Sequence, residues 1–439
     1  MEGRRIRAQA RRRRRRGVAG TALGLAMASA GVHAFVPVVP IALAGVLTWL
    51  AGVLLWPDVA PRTRRQVLAL LVAGSAGLVW AAANGEPLAW GRALAGNAAL
   101  IGMLSAVGFL RLIAAPAGGG EERLPSGRRG VVGTLLGLHL FGAVVNLSTV
   151  FIMAHRMVRD GRLDDRQLRV LTRGFPAAAF WSPFFAAMAA ALTYAPGAHL
   201  TPLLMVGVPL AAVALAVTAV ELAREPLGDF RGYPLHWGSL WLPGVLAAII
   251  LAGHWWDPTL SVLGMITVLA PLLTAAVLPF RDPAPVRLLS RQVVARLPLM
   301  ANELGLFLAA GMLAAGLEGV VATLGGWVPF AHFGGLQAGV VLALMVAVSL
   351  VGVHPVIGIA AFGTLLAPLS PDPSLLAMTF LAGWGIGVAV SPLSGLNLAL
   401  QGAYDVAPAR VVRLNWRYGV VMVAASTVAF VLYARLVPG

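Results

Sequence analysis

Apolar runs of about 18 residues or more recur along almost the whole chain, and nothing else in the sequence constrains the fold as strongly. Each is long enough for a helix to cross roughly 30 Å of hydrocarbon. The first four lie near 18–35, 38–56, 66–83 and 92–112. A chain of 439 residues with 59% hydrophobic and 11% charged residues, and a mean hydropathy of +0.84, has too little polar surface to face water on all sides. The expectation is an all-α polytopic membrane protein. Cysteine is absent, which excludes a disulfide framework and a thiolate metal site. No metal and no bound cofactor is expected.

The formal net charge is +16, and every Lys/Arg position is an arginine. The arginines sit in short loops between apolar runs, a distribution that suits a membrane-bound chain rather than a nucleic-acid partner. Residues 1–17, MEGRRIRAQARRRRRRG, read as a cytoplasmic terminus held to anionic headgroups of the lipid bilayer. The apolar run that follows lacks a convincing cleavage site and leads straight into another span, so a signal peptide fits less well. With that terminus inside a cell inner (plasma) membrane, the loop carrying Arg62, Arg64 and Arg65 falls on the cytoplasmic side. So do the arginine-bearing segments 155–173, 224–231, 281–296 and 410–417, whereas 195–200, 319–334 and 370–374 hold no arginine and face outward. The count closes with about eleven transmembrane helices if segments 130–156 and 335–369 each enter the membrane and return. Both are expected as re-entrant hairpins, with tips near Asn146 and His354.

The halves match in order and spacing. Asn97 pairs with Asn302, Asn146 with His354, and Ser182-Pro183 with Ser391-Pro392, at offsets of 205 to 209 residues. The tip-to-Ser-Pro interval is 36 residues in one half and 37 in the other. The first hairpin opens inward and the second outward, the signature of an inverted-topology repeat. The expected organisation is an arginine-rich terminus (1–17), amino-terminal helices (18–91), a first repeat (92–222), connecting segments (223–296) and a second repeat (297–439).

Ser-Pro interrupts an apolar run in AAFWSPFFAAM and again in GVAVSPLSGLNLALQ. Proline suits the first turn of a helix and serine suits its N-cap, so each pair predicts a helix starting in mid-membrane. A break at that depth leaves backbone groups costing several kcal/mol each unless protein or a wet cavity satisfies them. His354-Pro355 is a third such start, and Asn146-Leu147-Ser148-Thr149 places capping residues at the fourth. Four half-helix N-termini near one point would favour an anion, and the freed carbonyls could take Na⁺. The candidate binding residues are Asn146, Ser148, Thr149, Ser182, His354, Ser391, Ser394 and Asn397. His354 and Glu303 are the candidate proton carriers, with Arg296 an alternative, structural partner for Glu303.

Enzymatic chemistry finds little support. The chain has no P-loop, no Gly-rich dinucleotide fingerprint, no HExxH and no GxSxG elbow, so no catalytic residue is assigned.

On the tips VVNLSTVFIM and VGVHPVIGIAAFGTLLAPL, and the breaks AFWSPFFAAM and AVSPLSGLNLALQGAYD, the chain resembles the ion transporter superfamily. That group includes divalent anion–sodium symporters, arsenite-type permeases and the large membrane subunit of tripartite periplasmic transporters. The resemblance covers about residues 92–437, by layout more than by identity. It implies elevator-type alternating access and a homodimer. Symporters of the group carry Ser-Asn-Thr at both tips; this chain carries Asn-Leu-Ser-Thr and Gly-Val-His-Pro, which leaves room for H⁺ in place of Na⁺. The expected function is a secondary active transporter of a small anionic solute such as a carboxylate. Two alternatives stand beside it: a tripartite membrane subunit requiring a periplasmic binding protein, and an integral-membrane enzyme acting on lipid-linked substrates.

Overall fold

A computed structural model describes residues 2–114, 125–145, 147–158, 161–228, 230–233, 241–325 and 327–437. Among them are nineteen α-helices and no strand. In chain order these are α1 (Glu2–Phe35), α2 (Ile41–Leu55), α3 (Pro61–Ala83), α4 (Trp90–Ala95), α5 (Ala98–Ala114), α6 (Gly127–Val145) and α7 (Ser148–Met157). Next come α8 (Asp165–Gly174), α9 (Ala186–Tyr194), α10 (Leu200–Ala223), α11 (Trp241–Trp256), α12 (Val262–Val277) and α13 (Pro285–Arg291). The last six are α14 (Ala301–Thr323), α15 (Gly335–Leu350), α16 (Pro355–Leu365), α17 (Pro373–Val390), α18 (Gly395–Tyr404) and α19 (Pro408–Leu436).

The chain is an all-α polytopic membrane protein. Nine segments among the described residues are long and apolar enough to cross a bilayer. Their outward faces are apolar too: Val53 is 70% exposed, Val72 68% and Met205 72%. Surfaces of that kind are stable against lipid and costly against water. Two more of the expected spans take other forms. The 165–194 segment is interrupted between α8 and α9, and α11 has 16 residues. The helix series α5–α10 recurs in the same order as α14–α19.

Two compact units divide the chain, and each takes one stretch from either side of the chain's midpoint. The first comprises Met1–Ile113 and Ala248–Val328. Its centre is α3 against α14, packed backbone to backbone. A Cβ placed on Gly316 would lie 2.2 Å from the Gly74 carbonyl, and one on Gly77 would lie 2.6 Å from that of Gly316. Only small residues permit helices to approach so closely. The matched asparagines both serve this unit. Asn97 donates to the Phe307 carbonyl at 2.5 Å, and Asn302 accepts from the Ala60 amide at 2.8 Å.

The second unit comprises Ala114–Ala247 and Pro329–Gly439. Its central element is α17, buried along almost its whole length, around which α9, α10, α15 and α19 pack. Both hairpins lie here. The helices α6 and α7 pack against each other, and the pair α15–α16 turns at 351–354. Their return arms α7 and α16 have 10 and 11 residues, so each is about 15 Å long, half of what a crossing requires. That is the length of a re-entrant arm.

The Ser-Pro pairs interrupt helices as expected, but neither is the helix start. At the first break the new helix begins at Ala186, and at the second at Gly395 with Ser394 as its N-cap. Ser-Pro instead forms the turn before each start. The reason is visible at Ser391, whose amide still bonds back to Gly387 at 2.9 Å and so completes α17. Segment 155–173 also departs from the expected loop: Arg169 and Arg173 lie on α8, which Asp164 and Gln167 open with a reciprocal capping box.

Candidate functional site

At the first break, α8 passes into a 3₁₀ turn at Pro176–Phe180, and α9 starts at Ala186. The Ser182 hydroxyl donates to the Ala143 carbonyl of α6 at 2.6 Å and accepts from the Phe184 amide at 3.3 Å. Ala143 is near the end of its helix, where carbonyls lack helical donors. Ser182 therefore ties the break to the first hairpin. Beside it the Trp181 indole donates to Nε2 of His139, on α6, at 3.0 Å. Accepting at Nε2 places the histidine proton on Nδ1. Thr149 is buried on α7, and Ser148 is that helix's first residue. Asn146 and the Ser148 side chain lie outside the described residues.

At the second break the polar side chains answer the backbone one by one. Pro392 has no N–H, so the Val388 carbonyl loses its helical donor. The Ser394 hydroxyl supplies one at 3.0 Å and the Asn397 amide another at 3.1 Å. Asn397 also donates to the Ser391 carbonyl at 2.8 Å, and Gln401 to that of Pro392 at 2.6 Å. The Ala389 carbonyl takes Asn415 Nδ2 at 3.1 Å, while the Leu393 amide turns to Ser391 Oγ at 3.3 Å. One acceptor is left over: Asn397 Oδ1 is buried with no partner among the described residues.

The second hairpin tip rests on this turn. Gly352 has φ +92°, in the left-handed region, and a Cβ there would lie 2.4 Å from Leu393 Cδ1. Both the backbone angle and the contact require glycine. Next to it His354 is the N-cap of α16, with Pro355 in the first turn as the sequence predicts. Its Nδ1 accepts from the Val356 amide at 3.2 Å, which puts the ring proton on Nε2. The ring stands edge-on to Trp384 of α17, with centroids 5.2 Å apart, beside a cavity of about 160 Å³ lined also by Met345, Ser349 and Phe362.

The structure thus sets α6 of the first hairpin against the first break, through Ser182 and Ala143, and the tip of the second hairpin against the second, through Gly352 and Leu393. Among the described residues no hydrogen bond joins a candidate side chain of one half to one of the other. The halves meet through helix bodies: a Cβ on Gly385 would sit 3.1 Å from the Pro176 carbonyl, and one on Gly363 2.9 Å from Tyr194 Cβ. They also meet through a polar chain that sequence reading missed. Arg173, 1% exposed, bonds Glu221 at 2.6 Å, Asn415 Oδ1 at 2.8 Å and the Leu414 carbonyl at 2.5 Å. Its guanidinium stacks 4.9 Å from the Tyr418 ring centroid. Since Asn415 also holds Ala389, the first broken helix is linked to the last turn before the second break. His139 was missed as well, though a lone ionisable residue in the apolar run LLGLHLFGAVV was a signal.

Glu303 belongs to the other unit, exposed in the first turn of α14. It makes no ion pair among the described residues, so the structural partnership expected with Arg296 is not formed.

At each break the first two amides of the new helix, Ala186 and Ala187 of α9 and Gly395 and Leu396 of α18, donate to no protein acceptor among the described residues. At the second break the carbonyls of Val388, Ala389, Ser391 and Pro392 are bonded, so what stays open there is the pair of α18 amides and one acceptor, Asn397 Oδ1.

No family model and no curated protein matches the chain. Among solved structures it is similar to a crystal structure of the YdaH transporter of Alcanivorax borkumensis, described as revealing an unusual topology. The two are 13% identical over 84% of this chain and 98% of that one, with a TM-score of 0.49.

Proposed function

We propose that the chain is a secondary active transporter of a small anion, a carboxylate or similar oxyanion. What carries the reading is the pairing of each hairpin with a broken helix whose amide donors are left open. A half-helix N-terminus contributes about 1 kcal/mol toward a negative charge in a partly buried setting. The two open N-termini, of α9 and α18, would together amount to roughly 2 kcal/mol, on the order of tens of millimolar before any specific contact is counted. In this reading Thr149, Ser182, Ser391, Ser394 and Asn397 shape the two half-sites, with Asn146 and Ser148 at the first tip. The two hairpins and broken helices would move as an elevator, as inverted repeats within a homodimer in the inner membrane, with the amino terminus cytoplasmic.

The coupling ion is H⁺ in preference to Na⁺. Sodium needs a cluster of oxygens, and the carbonyls at the second break already accept bonds from Ser394, Asn397, Gln401 and Asn415. His354 offers the alternative. To take a second proton its Nδ1 must release the Val356 amide, so protonation would loosen the start of α16 at the tip. The cap is present in the neutral ring and lost as pH falls.

The test is thermal stabilisation of the purified protein by dicarboxylates, monocarboxylates and inorganic oxyanions, with and without Na⁺ and across pH. One class of anion should raise the melting temperature without Na⁺. Stabilisation by neutral or cationic solutes alone would refute the reading. The His354→Asn variant separates cap from carrier, because asparagine caps helices well and does not titrate. It should keep stability within about 0.5 kcal/mol and lose the pH dependence of uptake, whereas His354→Ala should lose about 1 kcal/mol as well. Unchanged pH dependence in both variants would remove His354 from coupling.

A further inference from the structure

The amino-terminal arginines are not a loose basic tail. Within the first unit, the Asp58 side chain, 3% exposed, accepts from Arg12 Nη2 at 2.8 Å, Arg15 Nη2 at 2.8 Å and Arg16 Nη2 at 2.7 Å. The Nε atoms of Arg12 and Arg16 add two more bonds at 3.1 Å. One carboxylate fixes three guanidiniums and neutralises one of them. The result is a rigid arrangement with two positive charges in excess.

That excess faces an open cleft of about 460 Å³ between α1 and the segment that follows α13. Arg12, Arg13 and Arg16 form one wall, Arg291 and the Ser290 hydroxyl the other, and no acidic residue lines it. Arg13 and Arg291 make no hydrogen bond or ion pair with protein groups among the described residues. The walls are held in register by close packing: a Cβ on Gly20 would lie 2.3 Å from the Val293 carbonyl, and Gly17 and Gly24 also abut Val294 and Val293. The far wall is a five-residue π-helix, Gln292–Arg296, a local widening often found at functional positions. Two of its residues, Val294 and Ala295, give the cleft an apolar side. Val294 remains 41% exposed there.

We infer that this cleft binds the phosphodiester headgroup of an anionic phospholipid. Guanidiniums match phosphate oxygens in pairs, and Ser290 can donate a further bond. The apolar wall distinguishes a lipid from a free phosphate, since it gives the glycerol and first acyl carbons a surface to lie on while the arginines hold the headgroup. The inference is independent of what the second unit transports.

The test is lipid retention by the full chain, measured by native mass spectrometry and by thermal stabilisation in detergent with added phosphatidylglycerol or phosphatidylcholine at physiological salt. Phosphatidylglycerol should bind at least 10-fold more tightly than phosphatidylcholine. The double variant Arg13→Gln/Arg291→Gln, which leaves the Asp58 cluster intact, should abolish that preference. Arg5→Gln/Arg7→Gln removes the same number of charges, both from α1 and outside the cleft, and should change it less than twofold. Equal losses in the two double variants would reduce the site to diffuse attraction and overturn the inference. So would a wild-type protein with no preference between the two lipids. Stabilisation by glycerol phosphate or inorganic phosphate matching that of phosphatidylglycerol at equal concentration would assign the cleft to a soluble phosphate and overturn the lipid assignment.

Discussion

Arg173→Leu is expected to cost roughly 2–5 kcal/mol, because it leaves two buried acceptors without their charged donor. The substitution strands several groups at once. Asn415 Oδ1 and the Leu414 carbonyl lose charged donors, Glu221 keeps only Arg169, and the Tyr418 ring loses its cation. Buried acceptors left without partners cost about 1–3 kcal/mol each, and leucine fills only part of the guanidinium's volume. Thermal unfolding in detergent should show a fall on the order of 10 °C. Arg169→Leu is the comparison. Arg169 bonds Glu221 and Glu225, both more than a third exposed, so water can replace it and the loss should be about half as large. If both variants melt within 2 °C of the parent, the chain from α8 through Asn415 to Ala389 contributes nothing to holding the second break.

Asn397→Asp should be the most damaging change within the half-sites themselves. The side chain is nearly isosteric, but its two donors become an oxygen facing the Val388 and Ser391 carbonyls, at 3.1 and 2.8 Å in the parent. An ionised carboxylate there meets two acceptors and no donor in a buried setting, a cost of roughly 3 kcal/mol or more at neutral pH. Protonation restores one donor. The defect should therefore shrink as pH falls and grow as it rises. Asn397→Leu lacks that proton, and its loss, about 1–3 kcal/mol, should not vary with pH. Uptake should fall on the order of 100-fold in both variants, because the 391–394 turn positions the open amides of α18 and a displacement of about 1 Å costs that much. A pH-independent Asp variant as stable as the parent would mean that Asn397 does not hold the turn.

These two residues show what was legible in advance and what was not. Asn397 could be named from the sequence because it follows Ser391 and Ser394 at steps of three, one face of a single helix. Its task could not be named. The spacing fits a residue lining a pathway or one holding helices together; in the structure the side chain bonds the Val388 and Ser391 carbonyls. Arg173 gave no signal of its own. In a stretch with Arg156, Arg159, Arg162, Arg166 and Arg169 it read as one more loop arginine. What distinguishes it is Glu221, 48 residues away, and Asn415, 242 residues away. The same holds for the amino terminus. A headgroup-binding arm was expected there, but the cleft depends on Asp58 and on residues 290–295, which no local pattern joins to it.

The sequence by itself determined the solvent and the class of fold. Hydropathy and run length demand a bilayer, and in a bilayer the backbone must satisfy itself, which makes the chain helical. It also marked where helices can break, because proline removes a donor, although α10 and α12 run on through Pro209 and Pro271. Tertiary structure decided how each interruption is resolved. A freed carbonyl accepts whichever donor lies within about 3 Å, and only packing brings Asn415 to Ala389, Ser182 to Ala143 and Gly352 onto Leu393.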